Sequence, residues 1–146
     1  MTSSEFARQH EIVAETAMVL TSDPGRPLVQ GVMSYHTSQP FGVLLSLRLG
    51  DAPAVDWTFA RELLIQCVQL PAGYGDIQLY PVFEGIIIEL HSPDGDAQLL
   101  ADTTAMQDFA DAIEAAVPVG QESEFYSLDA ELVTLLAMAT ERPTNN

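Results

Sequence analysis

The chain predicts an α+β fold: a twisted, mostly antiparallel, barrel-like sheet of about seven short strands with three helices. Three observations carry that prediction. Apolar residues alternate over short stretches, clusters of Pro, Gly and Asp separate those stretches at hairpin spacing, and the period shifts to a helical one at three places. The length of 146 residues, 47% of them apolar, fits one domain over residues 1–146 with a sizeable core. Its ordered part is expected from about residue 10 to 140, with loose ends at Met1–Ala7 and Arg142–Asn146.

Glu11–Leu20 places Ile12, Ala14, Met18 and Leu20 on one side, as a half-buried strand does. Asp23-Pro24-Gly25-Arg26-Pro27 is turn chemistry and leads into a second strand, Leu28–His36. Phe41–Leu49 alternates with Val43, Leu45, Leu47 and Leu49 on one face, and Gly50-Asp51-Ala52-Pro53 ends it. Val55–Phe59 is a short strand that passes into a helix near Ala60, where Leu63, Leu64, Cys67 and Val68 form a stripe. Pro71 and Gly73 stop that helix. Strands Ile77–Val82 and Gly85–His91 follow, linked by Phe83-Glu84, and Ile86-Ile87-Ile88 predicts a central strand because both of its faces are apolar. Pro93-Asp94-Gly95-Asp96 predicts a type I′ hairpin turn into Ala97–Ala101. Thr103 or Thr104 then caps a helix over Ala105–Val117, with Met106, Phe109, Ala110, Ile113 and Val117 on its buried stripe and Asp108, Asp111 and Glu114 opposite. A last helix is expected over Leu128–Thr140, with Ser127 as its cap. No internal repeat is visible.

Charge narrows the function classes. Twenty-one acids face five arginines and no lysine, for a net charge of −16, and from Asp76 onward 14 acids face only Arg142. Such a surface repels phosphate backbones and anionic headgroups, so direct nucleic-acid binding is disfavoured. The acids either keep the protein soluble or dock a basic partner, and Asp108, Asp111 and Glu114 are the candidates for docking. No apolar run is long enough to span a bilayer, and MTSSEFARQH has no apolar h-region, so no secretory leader is expected. The single cysteine, Cys67, forms no internal disulfide and suits a reducing cytosol.

Candidate chemistry is sparse. His91, Asp94 and Asp96 are close in sequence, but a hairpin turn explains those aspartates, and no HExxH, CxxC or calcium-loop spacing occurs; no metal ligand set is assigned. No GxSxG stretch is present, and Cys67 lies on an apolar stripe, so no nucleophile is assigned either. The stretch Gly73-Tyr74-Gly75-Asp76 follows a helix and lacks the GK[ST] ending of a phosphate loop; it reads as a turn, with Gly75 at positive φ and Asp76 opening the next strand. Catalytic residues and cofactors are therefore expected to be none.

One placement needs a cause. Arg61, one of so few cations, stands beside Trp57 and Phe59 at the start of a helix, where the macrodipole disfavours it. Its donors are expected on backbone oxygens or on the Asp76 carboxylate, with Trp57 or Phe59 covering its plane. The alternative is a surface arginine pairing loosely with Glu62 or Asp56.

These residues resemble a known family. Val55, Trp57, Phe59, Ala60, Arg61, Glu62, Leu63 and Leu64, followed by Gly73, Gly75, Asp76 and Ile77, match the signature of the SsgA-like sporulation and cell-division proteins of filamentous actinomycetes. "SPDGDAQLLA", "AAVPVGQE" and "LDAELVTLLA" resemble its hairpin, the segment after its long helix and its closing helix. The resemblance spans about His10–Thr140. It implies a fold similar to the whirly-type nucleic-acid-binding proteins, assembled as a homotrimer, and a cytoplasmic, non-enzymatic adapter at division septa. Implied partners are the tubulin-like division protein FtsZ and other SsgA-like proteins, with no membrane insertion. Trp57, Phe59, Arg61, Leu63, Leu64, Gly75 and Asp76 are then architectural. Two departures, Ser34 ahead of Tyr35-His36-Thr37 and the acidic stretch Ala110-Asp111-Ala112 on the long helix, bear on partner choice. Single-stranded nucleic-acid binding is the alternative that the whirly-type likeness implies.

Overall fold

A computed structural model describes residues 11–67, 72–74 and 76–125. They form one antiparallel sheet of eight strands: β1 (Glu11–Leu20), β2 (Leu28–His36), β3 (Gly42–Arg48), β4 (Val55–Ala60), β5 (Ala72–Tyr74), β6 (Ile77–Val82), β7 (Gly85–Ser92) and β8 (Gly95–Ala101). Helix α1 (Arg61–Cys67) follows β4, and α2 (Thr103–Ala116) follows β8. The order across the sheet is β4-β3-β2-β1-β8-β7-β6-β5. Each half is a four-strand meander followed by a helix, a repeat of topology without a repeat of sequence.

The two halves meet along β1 and β8, where the register pairs only Val19 with Leu100 and Leu20 with Leu99. Hydroxyls extend that seam: Thr21 Oγ1 donates to the Gln98 carbonyl at 3.0 Å, and Gln98 N donates to Ser22 Oγ at 3.0 Å. By contrast, β1 and β2 share nine register pairs from Glu11–His36 to Val19–Leu28.

The sheet must curl. Laid flat, its edge strands would stand about 34 Å apart, seven spacings of about 4.8 Å. The link from β4 to β5 spans about 10 Å as helix and at most about 18 Å more as extended chain, so the edges are drawn together. Helix α1 accordingly touches β4, β5, β6 and α2. Inside the curl lies the core, with Met18, Met33, Leu45, Leu79, Ile86, Ile88 and Leu99 all buried. Helix α2 presents Met106, Phe109, Ala110 and Ile113 to it, with Val117 also buried, which is the predicted stripe.

Several expectations need correction. Ala72–Tyr74 is a three-residue edge strand paired to Ile77–Leu79 rather than a turn, and it makes eight strands where seven were expected. The residue-level reason is that a segment with little apolar content becomes a strand only through its neighbour's ladder. Asp102, not Thr103 or Thr104, caps α2: its carboxylate accepts from Ala105 N at 2.9 Å while its backbone stays extended. The β7–β8 turn is not type I′, because its central residues are Pro93 and Asp94, a proline holds φ near −65°, and Asp94 is not at positive φ. The helix expected over Leu128–Thr140 and the positive φ expected at Gly75 lie outside the described residues. Among the described residues no helix is long and apolar enough to cross a membrane.

Candidate functional site

The motif converges on Arg61. It opens α1, its backbone N–H donating to the Phe41 carbonyl at 2.9 Å as a continuation of the β3–β4 ladder. Its side chain is 1% exposed and is held on several sides. Nη1 donates to the carbonyl of Val117 at 2.6 Å, and more loosely to Ile113 O at 3.5 Å and Tyr35 Oη at 3.3 Å. Nη2 and Nε donate to Glu122 Oε2 at 2.8 and 3.3 Å. The guanidinium carbon sits 5.8 Å from the centre of the Tyr35 ring.

This arrangement explains the puzzling position. A cation at the start of α1 opposes that helix's dipole, but its charge lies at the C-terminal end of α2, where the last carbonyls are unpartnered and the dipole is negative. Glu122 completes the pair from a 3₁₀ turn, Glu122–Glu124, and its other carboxylate oxygen accepts from Gly120 N at 2.9 Å. The hydrogen bond from Arg61, joined by backbone donors, holds the Glu122 carboxyl below its ordinary value of 4.5, against a smaller opposing effect of desolvation. Tyr35 donates to the Pro40 carbonyl at 2.8 Å, and burial raises its phenol above the usual 10.0, with the charge of Arg61 opposing. One guanidinium thus joins β2, the loop before β3, α1, the end of α2 and the turn after it. No buried side-chain polar atom among the described residues lacks a partner.

Two parts of the expectation are corrected. The carboxylate is Glu122, not Asp76: Asp76 is exposed, and its backbone carbonyl accepts from His91 N at 2.8 Å where it opens β6. The ring beside the guanidinium is Tyr35, not Trp57 or Phe59. Phe59 points into the core at 6% exposure, and Trp57 packs at its margin. The expected backbone oxygens are present, at Val117 and Ile113. Glu122 carried one local signal, its place just after Pro118 and Gly120, which end the long helix and turn the chain back.

Leu64 is fully buried and Leu63 partly so. Asp108, Asp111 and Glu114 are exposed along α2, and Asp111 accepts from Gln107 Nε2 at 2.8 Å. These three acids stand apart from the Arg61 cluster. His91 lies 3.2 Å from Asp96 and 3.5 Å from Glu89 on the sheet surface, and no three metal-ligating side chains converge among the described residues.

Comparison with known proteins gives a consistent picture. The family profile described as "Streptomyces sporulation and cell division protein, SsgA" matches residues 29–122. The sporulation-specific cell division protein SsgB of Frankia casuarinae is 35% identical over 140 residues, covering 92% of this chain and 98% of that one. SsgB of Streptomyces coelicolor is 36% identical over 124 residues, covering 82% and 90%. Among solved structures, an SsgA-like sporulation-specific cell division protein from Thermobifida fusca superposes with a TM-score of 0.77 at 30% identity, covering 92% of this chain and 98% of that one. A second, from work on SsgB mutations that correlate with longitudinal cell division in S. coelicolor sporulation, gives 0.76 at 29%, covering 81% and 97%.

Proposed function

The chain belongs to the SsgA family of sporulation and cell-division proteins, and from that premise we propose that it is a non-enzymatic adapter that helps position FtsZ at division septa. One observation carries this reading. The motif's cation is enclosed as an internal brace, which leaves a strongly anionic exterior to meet other proteins. Trp57, Phe59, Leu63 and Leu64 serve the same architecture, as do Gly75 and Asp76 at the β5–β6 link. The platform is a homo-oligomer, a trimer by family likeness, and it works in the cytoplasm at the septum with FtsZ and other SsgA-like proteins.

Co-sedimentation with polymerised FtsZ tests the adapter role. The fraction of this protein in the pellet is expected to rise with FtsZ, and a fraction unchanged by FtsZ overturns direct recruitment. Size-exclusion chromatography with light scattering tests the platform, and a strict monomer at micromolar concentration overturns it. Single-stranded nucleic-acid binding, the second reading, is supported by the twisted antiparallel sheet of the whirly-type likeness, and the net charge of −16 opposes it. Absence of a mobility shift at low salt removes it.

A further inference from the structure

The curled sheet is closed at one end and open at the other. Helices α1 and α2 and the Arg61 brace fill the end where β2 and β4 finish. At the opposite end the last residue of β1 and the β3–β4 and β7–β8 turns surround a groove of about 380 Å³. Its walls are inward-facing side chains of both halves: Leu20, Val29, Leu47 and Trp57 on one side, Leu90 and Leu99 on the other. At the lip, Val55 is 56% exposed and Leu49 44%, an unusual position for two aliphatic side chains beside an apolar hollow. Two carboxylates, Asp94 and Asp96, line the mouth, and no lysine or arginine is among its lining residues. His91 is the titratable neighbour of Asp96.

We propose that this open end is a peptide-docking groove for a partner segment with one or two bulky apolar side chains flanked by lysine or arginine. The proposal deepens the adapter reading and rests on it for the premise that the occupant is a protein. Charge selects the occupant. Apolar walls with an acidic mouth reject fatty acids and anionic lipids, whose headgroups would face Asp94 and Asp96, and favour an apolar side chain between cations. A second copy offers no such segment to this groove, because the chain has no lysine and its five arginines, Arg8, Arg26, Arg48, Arg61 and Arg142, stand singly, with no two flanking one short apolar stretch. The occupant is therefore another polypeptide.

The groove contains its own reporter, since Trp57 is the only tryptophan in the chain. Full-length protein is titrated with a synthetic Lys-Lys-Leu-Phe-Lys-Lys peptide, with its glutamate-flanked counterpart and with dodecanoate, following tryptophan emission at low and high salt. The basic peptide is expected to give a saturable blue shift, at least about tenfold tighter than the acidic peptide and weakened by salt. No shift, equal affinity for the two peptides, or tighter binding of dodecanoate overturns the proposal. Val55→Asp places a charge at an exposed lip and is expected to abolish the shift. The pair Asp94→Asn and Asp96→Asn, which keeps turn-compatible side chains, is expected to weaken binding about threefold or more while leaving thermal stability within a few degrees. Wild-type affinity in both variants overturns the assignment. FtsZ co-sedimentation separates the two readings: peptide binding without it keeps the groove and removes the named partner, while co-sedimentation without a peptide response keeps the adapter and removes the groove.

Discussion

Glu122→Gln is the sharpest perturbation of the brace. It keeps the shape and an accepting oxygen but removes the charge opposite a guanidinium that is 1% exposed. Removing one partner of a buried ion pair costs about 3–5 kcal/mol. Two features reduce that here. The Glu122 side chain retains 11% exposure, and Arg61 keeps the carbonyls of Val117 and Ile113 and the Tyr35 hydroxyl. The expected loss is therefore about 2–3 kcal/mol. For a domain of this size each kcal/mol is worth about 2–4 °C, so Tm falls by about 5–10 °C. Arg61→Lys is the companion variant. Val117 and Glu122 are served by different nitrogens of one planar fork, and an ammonium reaches only one side, so lysine is expected to fall nearly as far as Arg61→Ala. Urea unfolding followed by far-UV circular dichroism reads both, with m-values compared to confirm two-state behaviour. Arg61→Lys within about 0.5 kcal/mol of wild type would refute the forked brace.

Acid titration of stability gives a second test. Glu122 has a depressed folded value, so its contribution is complete above the ordinary 4.5 and is lost as pH falls through the lower folded value. The stability gap between wild type and Glu122→Gln is expected to stay level from pH 8 to 6 and to narrow below about 4.5; a gap that widens on acidification contradicts the assignment. Asp102→Ala removes the α2 cap and is expected to cost about 1 kcal/mol by urea unfolding, with Asp102→Ser recovering most of it. Gly85→Ala would place a Cβ 2.3 Å from the Ala101 carbonyl oxygen, so β7 and β8 must part; a loss of about 2 kcal/mol or more is expected, and a neutral result overturns that close approach. Replacing Asp108, Asp111 and Glu114 together by alanine is expected to weaken FtsZ co-sedimentation, more so at low salt, and an unaltered fraction returns those acids to solubility alone.

The long alternating segments were legible because one-sided burial writes itself into a strand as a period of two. β1, β2 and β6 run between the predicted residues, and the α2 stripe is the predicted one. What the sequence hid depends on distance along the chain. β5 has no pattern of its own, and its identity comes from pairing with β6. The brace was half legible: an arginine misplaced on a helix dipole implied a buried set of acceptors. Its partner Glu122 stands 61 residues away, among many acids that local spacing does not rank. Asp76 was the nearer choice in sequence, and the ladder to β7 directs its backbone, not its carboxylate, to a partner. The groove was invisible for the same reason, since its walls come from strands of both meanders.

The short β1–β8 seam has a mechanical meaning. Within the sheet, two register pairs, the Thr21–Gln98 backbone bond and a few hydroxyl contacts join the leaves, while each leaf is a meander bonded along its own length; α1, α2 and the Arg61 brace join them only outside the sheet. Tension applied across the sheet therefore concentrates on that seam. Rupture is expected there first, leaving two intact four-stranded leaves still held at one end by the helices and the Arg61 brace, as a book splits along its spine with the pages whole.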